Sequence, residues 1–250
     1  MSLGKTGLIA PNEEIHTQTL IKPHELDLDA QGEIDPNCPA IDSDGIARCR
    51  IYQPLVMFVG GAKDPEYGPV LKNTFPEYNR DNETHQDIGY GAWQTGPSLK
   101  ALALHWLAKK QKVVFIGHSY GGDTVMDIAR ELSALDKELE LVVTLDPVSH
   151  GGPRQDQLKP IGVKTWLNVY VNYQRYKENE ELRNKRSNNS LFRPNNIARL
   201  GGIWGYCKHA TTNYKFPDEY VDWDESGSGS EHAYAEYMFS LVQSHVEAIK

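Results

Sequence analysis

Cysteine is scarce in this chain: Cys38, Cys49 and Cys207 are the only three, scattered and odd in number. No C-x-x-C pair occurs, which argues against a disulfide framework and against a cysteine zinc site. Long apolar runs are missing too, and none approaches the ~18 residues of a membrane span. The start, Met1-Ser2-Leu3-Gly4-Lys5, has neither a long apolar region nor a cleavage pattern, so no cleaved secretory signal is expected. Synthesis in a reducing cytoplasm fits, and export without a cleaved signal stays open. Positive charge is also in deficit. The formal net charge of −8 argues against binding the phosphate backbone of nucleic acid as the main function. The chain has no Walker A loop, no H-E-x-x-H, no dinucleotide fingerprint and no internal repeat.

What is present is ordinary for a globular protein: 250 residues, 39% hydrophobic and 24% charged, enough for one sizeable α/β domain. The centre of the pattern is Lys112–Asp123, K-V-V-F-I-G-H-S-Y-G-G-D. Val113–Ile116 is a short apolar run of the kind buried on both faces of a parallel sheet. Gly117-His118-Ser119-Tyr120-Gly121 follows at once as G-x-S-x-G. Thr124–Leu132 then reads as an amphipathic helix, with Val125, Ile128, Ala129 and Leu132 on one face. A strand that becomes a helix within so few residues needs a sharp turn. The residue at its tip, Ser119, is strained, and glycines flank it because a Cβ there would collide with neighbouring backbone. The helix start also faces its N–H groups and positive dipole end toward developing negative charge. The plainer alternative is a serine in an ordinary βα turn.

With these motifs the chain resembles the α/β-hydrolase superfamily of serine esterases and lipases from about Ile51 onward. The resemblance implies an α/β-hydrolase fold: a mostly parallel central sheet with helices on both faces. It also implies a Ser–His–acid triad and no metal or organic cofactor. Leu55–Val59 is the next buried strand, followed by Gly60-Gly61-Ala62-Lys63-Asp64. In the superfamily such a loop supplies one oxyanion-hole N–H, here from Gly61 or Ala62. Val59 stands where one version of that loop has His. The second N–H would come from Tyr120. Leu141–Leu145 is a further strand ending in Asp146-Pro147-Val148. The pancreatic-lipase-like branch carries its acid there, in a Leu-Asp-Pro context, which makes Asp146 the expected acid; an Asp capping a turn before Pro147 is the bland reading. His232 lies just before the last helix, the superfamily's usual place for the base, so the expected triad is Ser119, Asp146 and His232 in that chain order. His209 is the second choice for the base and His150 a weaker rival. His105 and His245 sit within helices and read as surface or packing residues. Asp222 and Asp224 are the alternative acids.

Residues 1–48 read as a polar, turn-rich arm of the same domain, and 49–250 as a single α/β-hydrolase domain. Within the arm, Asp27–Asp35 partly matches a calcium loop, but Gln31 and Cys38 stand where ligands belong, so a solvated acidic turn is expected instead. Ile88–Trp93 is a weak strand and loop, Pro97–Ala108 a helix, and Val163–Val171 an alternating strand. Residues 172–196 are a polar insertion, either a lid or a solvated excursion. Ile197–Tyr206 is a candidate pocket wall. Tyr90, Trp93, Trp204 and Tyr206 are candidates to line an acyl pocket, although aromatics equally fill cores. Ala233–Ile249 reads as one terminal helix.

The motifs V-G-G-A-x-D, G-H-S-Y-G-G-D-T and V-T-L-D-P-V-S are similar to those of bacterial lipase-like α/β hydrolases. Distant relatives of that kind include phospholipid-cleaving toxins delivered by type VI secretion. That resemblance implies a lipid or other ester substrate, with transient contact at a membrane surface and an immunity partner if the protein is a secreted toxin. A small-molecule esterase, a thioesterase, an acyl transferase and a non-catalytic binding module of the same fold all fit the same residues.

Overall fold

The computed structural model describes residues 8–9, 53–62, 64, 68–149, 154–172, 202–217 and 231–250. The rest of the arm, the calcium-like stretch 27–35, the insertion beyond Asn172, His150, Asp222 and Asp224 lie outside them. The strands are β1 (Leu8–Ile9), β2 (Leu55–Gly60), β3 (Asp87–Ala92), β4 (Val113–His118), β5 (Leu139–Leu145), β6 (Val163–Tyr170) and β7 (Thr212–Lys215). They form one sheet in the order β1-β3-β2-β4-β5-β6-β7. Among these described strands only the β1–β3 pairing is antiparallel; the other pairs are parallel. The helices are α1 (Phe75–Asn82), α2 (Gly96–Ala108), α3 (Tyr120–Ser133), α4 (Ala235–Ser240) and α5 (Gln243–Glu247). This is the α/β-hydrolase arrangement, with the strand before Ser119 at the centre of the sheet.

Alternation along the strands sorts the core into two layers, because successive side chains point to opposite faces. Leu55, Met57, Val59, Val113 and Phe115 pack under α2 and α3, against Leu99, Trp106, Val125, Ala129 and Leu132. Val56, Phe58, Val114 and Ile116 pack on the other face, against Phe75, Tyr78, Met238, Phe239 and Val246. Both faces being covered is why β2 and β4 carry unbroken apolar runs. On the second face the ring of Phe58 meets Tyr78 at 5.4 Å and Phe239 at 5.2 Å, so the chain's last helices are tied to its first central strand.

One element differs from the sequence expectation, and two lie where the sequence reading assigns none. A π-helical turn, Pro69–Thr74, runs directly into α1. Pro69 and Pro76 conceal this helical stretch in the sequence, yet both fall in a first turn, where a missing N–H costs little. The terminal helix is not continuous. It is divided into a short 3-10 turn, Glu231–Ala233, and the helices α4 and α5. The break at Leu241–Val242 turns the chain so that Met238, Phe239, Val242, Val246 and Ile249 all reach the core. The Gln86 amide then donates to the carbonyls of Val246 and Ile249, both at 3.0 Å. Thr212–Lys215, which carries no clear strand signal, adds the edge strand β7.

Close approach of backbone to backbone makes the turn at Ser119. A Cβ on Gly121 would lie 2.1 Å from the carbonyl oxygen of Val59, and one on Gly117 would lie 2.3 Å from the carbonyl oxygen of Gly121. Neither neighbour is a flexible side chain that could move aside. Gly121→Ala is expected to cost at least about 2 kcal/mol and to lower Tm by about 5 °C or more. Gly96→Ala, whose Cβ would meet only the Thr124 methyl at 3.5 Å, should stay within about 1 kcal/mol of the parent. Thermal melts of the two variants check both; a parent-like melt for Gly121→Ala would contradict the packing described.

Candidate active site

Ser119 sits between β4 and α3 with φ 56° and ψ −126°, a strained conformation for a residue with a Cβ. Backbone bonds hold it there. Its N–H donates to the carbonyl of Leu145 at 3.1 Å, and its own carbonyl accepts from Gly122 at 2.9 Å and Val148 at 3.1 Å. The turn is thereby fixed to the end of the neighbouring strand, β5, where Asp146 follows.

Asp146 also has a positive φ, 42°, and its N–H donates to the Val169 carbonyl at 2.7 Å. Its side chain is fully buried. One carboxylate oxygen accepts from the Val171 N–H at 3.2 Å, and the other lies 2.6 Å from His232 Nδ1. His232 Nε2 lies 2.9 Å from Ser119 Oγ. The three residues thought to form the triad therefore meet at the C-terminal edge of the sheet, in one hydrogen-bonded chain. An ionised carboxylate only accepts, so Nδ1 carries the proton and Nε2 presents a lone pair to the serine hydroxyl.

The glycine loop after β2 lies against the same serine. A Cβ on Gly61 would fall 2.5 Å from Ser119 Cβ and 2.9 Å from its Oγ, so only bare backbone fits there. Tyr120 is the first residue of α3, the place where N–H groups point out of a helix end. Ala62, next along, is half-buried. Asp64 secures this loop, a role the sequence motif V-G-G-A-x-D did not reveal. Its N–H donates to the Gly61 carbonyl at 3.2 Å. Its carboxylate accepts from Val70 N–H at 2.8 Å, Leu71 N–H at 3.1 Å and Tyr90 O–H at 2.7 Å. Burial pushes its pKa up, and those three donors oppose the rise. Burial and the adjacent Asp64 together push the Tyr90 phenol up as well.

Tyr90 is thus a core residue bound to Asp64 rather than a pocket lining, and Trp204 is likewise buried in the core. Tyr206 is exposed, edge-on to Tyr170. Trp93 stands 5.5 Å from the ring of Tyr120, and the two border a groove of about 420 Å³ between α2 and α3. Gly202 and Trp204, from the expected pocket wall, bond to the segment that follows the acid: the Trp204 main-chain N–H donates to the Pro147 carbonyl, and the Ser149 N–H to the Gly202 carbonyl. His209 is half-buried beyond β6, and His105 and His245 are exposed; none of them has a bond to Ser119 or Asp146. Among the described residues no group of three or more His, Cys, Asp or Glu could hold a metal ion.

His118 is a residue whose importance the sequence did not signal beyond its place in the motif. It is buried, its Nε2 donates to the carbonyl of His232 at 2.6 Å, and the two rings lie 4.8 Å apart, inclined by 35°. Burial, then the neighbouring His232, pushes its pKa down to about 3.

No family model and no curated protein matches the chain. Among solved structures it is similar to a metagenomic carboxyl esterase, MGS0156, at 12% identity and a TM-score of 0.39, over 93% of this chain and 90% of the other. It is also similar to BorB, the type II thioesterase of the borrelidin biosynthetic cluster, at 10% identity and a TM-score of 0.41, over 81% of this chain and 95% of the other.

The depressed His118 pKa sets a pH dependence. The unfolded imidazole titrates near ~6.5, above the folded group, so the unfolded state binds more protons between the two values. The stability from keeping this ring neutral is complete above ~6.5 and is lost as pH falls toward about 3. Thermal melts from pH 7 to pH 4.5 should therefore show a flatter acid loss in His118→Gln than in the parent. Equal slopes would contradict a buried neutral imidazole.

Proposed function

We propose that this protein is a serine carboxylic-ester hydrolase acting through an acyl-enzyme, with lipase or phospholipase chemistry. One observation carries the reading: Oγ of Ser119, Nε2 of His232 and the Asp146 carboxylate lie in a continuous hydrogen-bonded line, at 2.9 Å and 2.6 Å. A serine hydroxyl does not ionise near neutral pH and needs a base. His232 accepts its proton as Oγ attacks the ester carbonyl. Asp146 holds the tautomer that leaves Nε2 able to accept, and stabilises the imidazolium that forms. The oxyanion of the tetrahedral intermediate is met by the N–H of Tyr120 and by one from Gly61 or Ala62. Donors fixed in advance there are worth ~10²–10³ in rate each. His232 then returns the proton to the leaving alcohol, and water, activated the same way, releases the acyl group.

No step requires a metal or an organic cofactor. The lipid preference rests on the resemblance of the motifs, and with it the reading that the protein meets a membrane surface transiently and has an immunity partner if it is a secreted toxin. Among the described residues no helix is long and apolar enough to cross a membrane. The same chemistry on short-chain esters or thioesters, or with an acceptor other than water, uses the same atoms.

The test is fatty-acid release from phosphatidylcholine vesicles set beside hydrolysis of short p-nitrophenyl esters. Ser119→Ala and His232→Ala should abolish both while melting within a few degrees of the parent. Asp146→Asn should lower turnover by about 10⁴, the loss that the wrong imidazole tautomer causes in the reference triad. Turnover of p-nitrophenyl esters alone makes the protein an esterase rather than a lipase. No turnover of any ester by the folded parent would make it a binding module.

A further inference from the structure

His232 has little regular structure to hold it. It lies in a short 3-10 turn, Glu231–Ala233, closed by the Tyr234 N–H donating to the Glu231 carbonyl at 3.1 Å. No strand carries it, and the sheet reaches it through side chains. Asp146 is one such link, to the ring. Another comes from the residue immediately before the nucleophile. His118 ends β4, where it pairs in register with Leu145, the residue before Asp146. From that rigid position its Nε2 reaches the main-chain carbonyl of His232 at 2.6 Å, across 114 residues of sequence.

We propose that His118 is a positioning residue, whose ring N–H tethers the main chain of His232 to the central strand and whose ring supports the His232 imidazole. The proposal rests on the hydrolase reading above. The chemistry of the bond fixes its sense. A carbonyl oxygen can only accept, so Nε2 of His118 must carry a proton. Nδ1 of His118 is buried with no hydrogen-bond partner among the described residues, so a second proton there would have none of them to donate to. The ring is therefore held in one neutral tautomer. The depressed pKa of the group agrees with this. Neutrality matters for the step that follows. His232 becomes a cation when it takes the serine proton, and a charged ring 4.8 Å away would oppose it. A neutral His118 keeps the donor in place and adds no such opposition. The serine and the acid leave β4 and β5 side by side. The tether brings the base, which comes from elsewhere in the chain, into register with both.

The residue acts through His232 and touches no reacting atom, so its loss should be read in turnover rather than in substrate binding. His118→Phe keeps the ring volume and removes the donor; His118→Gln keeps an N–H at similar reach. On a short p-nitrophenyl ester, His118→Phe should lower kcat about 30- to 100-fold with KM within about twofold, the scale at which misplacing a catalytic group or losing its supporting bond is felt. His118→Gln should recover to within about fivefold of the parent. Parent-like kcat in His118→Phe would overturn the proposal, as would an equal fall in both variants, which would mean packing alone. The second measurement needs no variant and no activity: nitrogen-15 NMR of the parent imidazoles should find His118 as the Nε2–H tautomer at neutral pH. An Nδ1–H or doubly protonated His118 would overturn the tether. An inactive parent with the Nε2–H tautomer would sink the hydrolase reading while leaving the tether standing.

Discussion

The contact between the end of β2 and the first turn of α3 fixes the position of everything that follows. Gly121 lies so near the Val59 carbonyl that no side chain fits between them. The chain can leave β4 and enter α3 only by passing through a backbone conformation that an L-residue resists, and Ser119 is the residue that adopts it. The strain is held by ordinary hydrogen bonds to Leu145, Gly122 and Val148. The outcome is a hydroxyl carried clear of the sheet at the edge where parallel strands all end. Parallel strands matter here, because they bring the ends of β2, β4 and β5 to that one edge. The glycine loop, the serine and the acid then arrive together without any long excursion of the chain.

The three residues of the site are buried, and their polar groups are arranged accordingly. Ser119, Asp146 and His232 are 3%, 0% and 4% exposed. A buried carboxylate is tolerated only where donors satisfy it. Asp146 has the His232 ring and the Val171 N–H, and Asp64 has two backbone N–H groups and the Tyr90 hydroxyl. The two acids serve different parts of the site. Asp146 orients the His232 ring, which gains and loses a proton in the proposed reaction. Asp64 ties the Gly61 loop to the π-helical turn and to β3, so the backbone facing Ser119 Oγ is braced from behind. His118 adds a third buried polar group, kept neutral by burial. One strongly polarised line of hydrogen bonds thus runs through a setting of satisfied or neutral partners, where local electrostatic effects are stronger than in water.

Much of this was legible in the sequence because it rests on local rules. The apolar runs at Val113–Ile116 and Leu141–Leu145 mark strands buried on both faces, and Gly117 and Gly121 mark a turn where backbones touch. Ser119, Asp146 and His232 follow from position on those elements together with family resemblance, and the geometry brings them together. What was hidden depends on long-range contact. Whether Tyr90 faces a pocket or the core is decided by Asp64, 26 residues away. The His118 bond spans 114 residues, and G-x-S-x-G leaves its second position open. The break at Val242 answers the shape of the sheet face, which the periodicity of the last segment alone does not contain. The helical stretch 69–82 carries Pro69 and Pro76 at its starts, and the sequence reading assigns it no element.

The central claim is that Ser119 is made nucleophilic by His232 and Asp146. Its most direct test is covalent. An alkyl fluorophosphonate, which reports an activated serine, should modify the folded protein at one site. Peptide mass spectrometry should place the adduct on Ser119, and the rate of modification should collapse in His232→Ala. An intact protein that stays unmodified, or an adduct on any other serine, would contradict the account.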